Sequence, residues 1–384
     1  MAHFNAFLNG IGLMHMTIPM AVMVLVSLLL MYLAIVKKYE PLLLLPIAFG
    51  MMIANIPIAG LSAHDEGGLM WYLYQGVAKG IYPPMIFLCL GAMTDFGPLI
   101  ASPRTALIGL GGQLGIFVAF GGSLFLGRIL APIVPGFDGI SLMEAASIAI
   151  IGSSDGPTSI LTAATLAPEI LPTITIAAYS YMALIPIIQP PIMRLLTTDK
   201  ERTVVMSAPK RISKRKKIIF PIAITLITLL LIPEAGMLIS MLMLGNLIKE
   251  SGVTDRFVRS LQSDALNILT LLIGLSIGAT ASADKMLNFQ TLFIIFLGLL
   301  AFCFGTVGGI LVAKLLCKIT KGKVNPLIGN SGVSAMPMAA RVSQKLGQEY
   351  NSQNHLLMHA MGPIVSSTLG SAIISGIFIS LFGG

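Results

Sequence analysis

Apolar runs long enough to cross a bilayer, parted by short polar connections, fill most of the chain. At roughly 20 residues per helical crossing, they predict spans near 14–36, 41–60, 76–96, 105–133 and 173–195, then 218–233, 235–249, 263–283, 290–316 and 355–382. Two further apolar stretches, 142–168 and 326–345, are interrupted by small and polar residues. In the first, Gly152, Gly156 and Pro157 sit among the hydroxyls of Ser153, Ser154, Thr158 and Ser159. Proline and glycine oppose a continuous helix, and the hydroxyls compete for its backbone hydrogen bonds. Irregular backbone at membrane depth persists only where protein or a watery cavity satisfies it. Both stretches therefore read as re-entrant hairpins.

Composition narrows the class. Hydrophobic residues make up 55% of the 384 and charged ones 10%, with mean hydropathy +0.90, against about 25% charged in a soluble domain. The chain is read as an all-α, polytopic membrane protein. Its net charge of +8 is sorted along the connections and not gathered into a binding face, so nucleic acid is excluded as a partner. Cys89, Cys303 and Cys317 lie in apolar stretches without paired spacing, so no disulfide framework or metal site follows from them. No basic start precedes the first apolar run, and that span is expected to be retained.

Charge also orients the layout. The connection from Thr197 to Lys217 carries eight basic residues and is expected in the cytoplasm. With both hairpins entering and leaving on one side, the other connections sort with it, except Lys79, Arg128 and Lys285. Both termini then lie outside. A single crossing of 142–168 would put the most basic loop outside, so charge favours the hairpin.

The halves resemble each other. Phe49 to Asn55 resembles Leu242 to Asn246, Phe120-Gly121-Gly122 resembles Val307-Gly308-Gly309, and Gly152 to Gly156 matches Gly329 to Val333. Residues 1–196 and 218–384 would each hold five spans and one hairpin, joined by the basic loop 197–217. Five is odd, so the repeats must be inverted and the hairpin tips should meet near the midplane, the site architecture of secondary transporters. Small-residue clusters such as Gly109 to Gly112 and Gly121-Gly122 are expected at close helix crossings, and Met-rich runs as filler. His15, His64, His355 and His359 offer no ligand geometry, and the basic loop is most simply a topology signal.

Asp155 carries the candidate chemistry. An intramembrane carboxylate is costly and marks an ion or proton path; here it adjoins loosened backbone and hydroxyls, the hard oxygen ligands of an alkali cation. Asn325, Asn330, Ser331 and Ser334 add neutral oxygens from the second broken stretch, and Arg341 adds a fixed cation. Residues alone reach a sodium- or proton-coupled transporter or pump.

Four motifs make a family resemblance specific: Gly152 to Ser159, Gly329 to Val342, Gly91 to Leu99 and His359-Ala360-Met361-Gly362-Pro363. Over about residue 15 to the C-terminus the chain resembles the β subunit of sodium-translocating biotin-dependent decarboxylases, which act on oxaloacetate, methylmalonyl-CoA or glutaconyl-CoA. The resemblance implies a translocase working with partners. A soluble α subunit moves carboxylate from substrate onto the biotin of a carrier domain, and a small γ membrane subunit joins them. The β subunit decarboxylates the carboxybiotin, consumes an external proton and exports sodium, as one protomer of a homotrimer.

It also assigns residues. Asp155, Asn325 and Ser334 become sodium ligands, Tyr181 a proton relay, and Arg341, with Ser334, the holder of the carboxybiotin carboxylate. In one place the pattern fails. Where the family commonly reads Gly-Pro-Asn after His-Ala-Met, this chain reads Gly362-Pro363-Ile364 before Val365-Ser366-Ser367. A second site is weakened, Ser366 or Ser367 substitutes, or the ion preference has changed. The alternative function is a stand-alone sodium-coupled organic-anion transporter of similar design. Which acid is decarboxylated lies with the α subunit.

Overall fold

A computed structural model describes residues 11–207 and 212–383, with no strand among them. Lys210 and Arg211 of the basic segment, and the first ten residues, lie outside the described residues. Helices α1 (Ile18–Ile35), α2 (Pro41–Ala54), α3 (Leu69–Ala78), α4 (Tyr82–Met93) and α5 (Pro103–Leu130) precede the first broken segment. Its arms are α6 (Leu142–Ile150) and α7 (Gly156–Leu166), and α8 (Leu171–Leu196) follows. The second half comprises α9 (Lys214–Leu231), α10 (Pro233–Ser251), α11 (Asp255–Gly278), α12 (Phe289–Ile319), a 3-10 turn at Pro326–Gly332, α13 (Met338–Tyr350) and α14 (Leu357–Phe382).

These elements fall in the expected places, with three differences. The span expected at 76–96 is two helices, α3 and α4, meeting at 66°. Gly80 turns between them at φ +66, and Pro83 and Pro84 lack the N–H groups that would carry α3 through, so the helix must restart. Helix α8 bends by 62° between Pro168–Met182 and Leu184–Leu196, where the ring of Pro186 meets the carbonyl one turn before it. The hairpin expected at 326–345 has unequal arms: a seven-residue 3-10 turn and an amphipathic helix running on to Tyr350. Arg341, Lys345 and Glu349 line the exposed face of α13, while Ala339, Val342, Leu346 and Gly347 are buried. A face that polar belongs in water.

Of the ten spans expected, α1, α5, α11, α12 and α14 are long and apolar enough to cross alone, and the two bent pairs make seven. Helix α2, at 14 residues, is only about 21 Å long. Arms α6 and α7, of 9 and 11 residues, reach about 14 and 17 Å, half of a roughly 30 Å hydrocarbon layer.

Glycines set the packing, reciprocally. A Cβ on Gly91 of α4 would lie 1.9 Å from Leu242 O of α10, and one on Gly245 of α10 would lie 2.0 Å from Leu88 O of α4. Helices α2 and α11 repeat this, Gly50 against Leu275 O at 2.4 Å and Gly278 against Ile47 O at 2.1 Å. Helices α5 and α12 do so again, through Gly111 and Gly308. Without side chains between them, backbones approach to within van der Waals contact. Asparagines follow the same pattern. Asn55, just past α2, donates to Ala281 O beyond α11 at 2.8 Å, and Asn246 of α10 donates to Thr94 O beyond α4 at 3.0 Å. The expected crossing at Gly109–Gly112 holds, but Gly121 has open space around it and Gly122 touches only the tip of Leu297.

Candidate functional site

The first break is written into its residues. Ser141 starts α6 with a capping box, accepting from Glu144 N while Glu144 accepts from Ser141 N at 2.8 Å. The helix tightens to a 3-10 turn over Ile151–Ser153, Ser154 takes a left-handed φ of +54, and Asp155 becomes the extended N-cap of α7. Asp155 Oδ1 accepts from Thr158 N at 3.3 Å, and Oδ2 accepts from the Ser371 hydroxyl of α14 at 2.6 Å. The residue is 4% exposed. Among the described residues no ion pair involves it. A helix N-terminus favours a carboxylate by about 0.3–1 kcal/mol, far short of the several kcal/mol that burying the charge costs.

The second break meets it. Ser334 N donates to Ser153 O at 2.7 Å, and the Ser334 hydroxyl donates to Ser367 Oγ at 3.0 Å. Between the breaks lies a cavity of about 120 Å³ bordered by Ser154, Asp155, Tyr179, Thr270, Ser334 and Thr368, with apolar walls from Leu43, Ile86 and Met336. The Ser154 hydroxyl is buried there without a hydrogen-bond partner. One uncompensated carboxylate, one unsatisfied hydroxyl and several hydroxyl oxygens around a small void are hard oxygen donors whose chemistry would suit a monovalent cation.

Asp155 and Ser334 therefore come together as expected. Tyr181, Asn325 and Arg341 do not border this cavity. Tyr181 donates to Ile295 O of α12 and packs its ring on Gly298. Tyr179 and Met182, three apart on α8, face the cavity instead. Asn325 caps the 3-10 turn: Oδ1 accepts from Leu327 N at 2.9 Å, and Nδ2 donates to Arg202 O at 3.0 Å and Val204 O at 2.8 Å. Arg341 is exposed on α13, bordering a shallow groove with Gln344, Lys345, Gln348, Glu349 and Leu357.

Sequence reasoning missed Tyr179, Thr270, Thr368 and Ser371. A signal for the last two was present: Thr368 and Ser371 continue from Ile364 at i, i+4 and i+7, a polar stripe down one face of an apolar helix. Ile364 is fully buried one turn from Thr368, whose hydroxyl donates to its carbonyl at 3.1 Å. Neither Ser366 nor Ser367 borders the cavity: Ser366 donates to Ala106 O at 2.9 Å, and Ser367 Oγ accepts from Gln113 Nε2 at 3.0 Å and from the cavity residue Ser334 at 3.0 Å.

The Gly91–Leu99 motif is a clamp at the end of the bundle where α9 begins. Asp95 Oδ1 accepts from Gly97 N at 2.8 Å and from Lys217 Nζ at 2.9 Å. Burial raises the Asp95 pKa, but the Lys217 ammonium and the Gly97 N–H outweigh it and hold the carboxyl below its ordinary range. Lys249 Nζ and Gln262 Nε2 donate to carbonyls of Met93, Thr94 and Ala92, satisfying the orphan acceptors at the end of α4.

Comparison with known proteins agrees. The family described as the beta subunit of the Na+-transporting oxaloacetate decarboxylase matches residues 19–382. The chain is 46% identical over 399 residues to the methylmalonyl-CoA decarboxylase subunit beta of Propionigenium modestum, covering 98% of each. To the oxaloacetate decarboxylase beta chain of Klebsiella pneumoniae it is 46% identical over 433 residues, covering 99% of each. To the glutaconyl-CoA decarboxylase subunit beta of Acidaminococcus fermentans it is 48% identical over 364 residues, covering 95% of this chain and 93% of that one.

Proposed function

We propose a mechanism for a chain that belongs to the β-subunit family of Na+-transporting decarboxylases: decarboxylation of a partner's carboxybiotin drives sodium outward through the Asp155 cavity. The observation that carries this reading is the buried Asp155 carboxylate, unpaired beside the unsatisfied Ser154 hydroxyl. Asp155 supplies the countercharge, and Ser154, Ser334 and Thr368 supply neutral oxygens.

Breaking the N–C bond of carboxybiotin releases CO2 and leaves a ureido nitrogen that takes up one proton. If that proton enters from outside by way of Asp155, it competes with sodium for one carboxylate, which is the coupling. Tyr179, which borders the cavity with Asp155, is better placed for the proton relay than Tyr181. Moving one charge against 100 mV costs about 2.3 kcal/mol. Asn325 serves the site indirectly, by pinning the turn that presents Ser334.

The packing supports inverted repeats. Pairing α2 with α11, α4 with α10 and α5 with α12 is what a two-fold axis relating the halves would produce. We place the basic segment in the cytoplasm and both termini outside, with the α and γ partners and the trimer implied by the resemblance.

The test is reconstitution of the assembled complex in vesicles. Sodium should accumulate only while carboxybiotin is decarboxylated, and the β chain alone should take up no organic anion. Sodium-dependent anion uptake by the chain alone would replace the pump with the transporter reading.

Two substitutions probe its parts. Arg341 stands where a mobile carrier can reach it, and its planar fork suits a carboxylate in a way lysine does not match. Arg341→Lys is expected to slow single-turnover decarboxylation about tenfold to a hundredfold, the worth of one charge-assisted hydrogen bond at roughly 1.5–3 kcal/mol, while carboxyl transfer in the α subunit stays intact. A change in sodium affinity alone would move Arg341 to the ion site. At the other position, Ile364→Asn adds an amide oxygen to the Thr368–Ser371 stripe and is expected to lower the sodium concentration for half-maximal decarboxylation severalfold, or to steepen the titration. Superimposable sodium titrations would remove residue 364 from the site.

A further inference from the structure

The end of the bundle where α9 begins holds a second concave space, open to the surface and apart from the Asp155 cavity. About 240 Å³ in volume, it lies between the connection into α5, the end of α12, the Met206–Ser207 segment and the first turn of α14. Arg104, Lys323 and His359 face it, and no carboxylate does. Some basic groups at this end are paired, Arg194 with Glu349 at 2.7 Å, Lys217 with Asp95 at 2.9 Å and Lys314 with Glu201 at 3.4 Å, while Lys318, Lys321, Arg341 and Lys345 join no ion pair among the described residues. Among the described residues Arg104 and Lys323 form no ion pair. Converging, uncompensated cations in a concave site focus a positive potential on whatever enters. The floor is apolar, formed by Pro98, Leu316 and Val324. The volume falls just below the roughly 300–1,000 Å³ of pockets for drug-sized ligands. It admits a small ring bearing one anionic group and excludes an acyl-CoA.

We infer that this pocket captures the N-carboxylated ring of carboxybiotin, the carboxylate between Arg104, Lys323 and His359 and the uncharged bicycle on the apolar floor. The inference rests on the preceding reading that the carboxyl arrives on a partner's biotin. Free bicarbonate presents the same planar carboxylate without the ring. The pocket acts in capture and not in bond breaking. Decarboxylation disperses the negative charge into CO2, so the two cations, Arg104 and Lys323, stabilise the bound carboxylate more than the transition state. The Arg341 groove is a separate surface at this end: Leu357 borders the groove and His359 the pocket, and these two residues point about 200° apart around one turn of α14.

The test compares the wild-type complex with Arg104→Gln/Lys323→Gln, both positions being exposed. Binding of carboxylated and uncarboxylated carrier is titrated without sodium, so that no turnover is needed, and bicarbonate protection against thermal unfolding is measured in parallel. Wild type should prefer the carboxylated carrier about tenfold or more, the worth of a charge-assisted contact, and the double variant should lose that preference while binding uncarboxylated carrier unchanged. The rate at saturating carrier and the sodium half-saturation should not move. Retained preference overturns the inference. So does loss of bicarbonate protection alone, which makes the pocket a site for released product, and so does weakened binding of both carriers, which makes the residues structural. Failure of the complex to couple sodium to decarboxylation would overturn the preceding reading and leave the carrier titration decisive for the pocket.

Discussion

Asp155→Asn is expected to abolish sodium transport and sodium-stimulated decarboxylation while the protein still folds. The amide is isosteric, its oxygen can still accept from Thr158 N, and the N-cap is preserved, since asparagine caps as well as aspartate. What disappears is the charge that offsets the desolvation of sodium in a 120 Å³ cavity. Removing one partner of a buried ion pair costs about 3–5 kcal/mol, which is roughly a hundredfold to a thousandfold or more in sodium affinity. No second carboxylate borders the cavity to take over. Vesicle uptake of labelled sodium, with elution in detergent as the check on folding, measures both halves of the expectation. Sodium uptake at the wild-type rate would dissolve the site assignment.

The Asp155 break was legible because its signals were local. A carboxylate, two glycines and a proline within a bilayer-grade run leave the chain no regular structure to adopt, and the structure puts the 3-10 turn, the left-handed Ser154 and the cap within that window. Ser334 was legible by matching one broken stretch to the other, and Ser334 N does reach Ser153 O. Tyr181 was misplaced relative to the cavity because helical phase in an all-apolar span cannot be read from polarity. Two residues' difference on α8 decides between the cavity and the Ile295 carbonyl. Asn325 looked like a ligand because an amide beside a break serves equally well as a cap, and only the positions of Arg202 and Val204 reveal which. The unequal arms of the second hairpin were hidden by alanines and methionines that read as apolar, while Arg341, Lys345 and Glu349 repeat every four residues and mark α13 as a surface helix.

Gly112→Ala is the substitution expected to damage the molecule most without touching a polar group. A Cβ there would lie 1.7 Å from Gly332 O and 2.3 Å from Gly332 C, both backbone atoms, so no side chain can swing aside. The turn carrying Gly332 cannot retreat either, because Gly329 and Gly332 are themselves pressed against Gly309, Ile310 and Ile108. Alanine gains up to about 1 kcal/mol of helix propensity over glycine, whereas overpacking a tight core costs roughly 1–3 kcal/mol and sometimes more, so the clash prevails. Function suffers further. The displaced turn ends at Gly332, two residues before Ser334, and a shift of about 1 Å at a site can cost a hundredfold in rate. Sodium-stimulated decarboxylation should fall by about that factor, with a lower melting temperature in detergent. Gly121→Ala, in the same helix but with nothing within 4 Å of the added carbon, supplies the contrast: it should melt at the wild-type temperature or above and pump normally. If both variants behave alike, the second broken segment is not held by the α5 backbone, and the route from glycine packing to the placement of Ser334 fails with it.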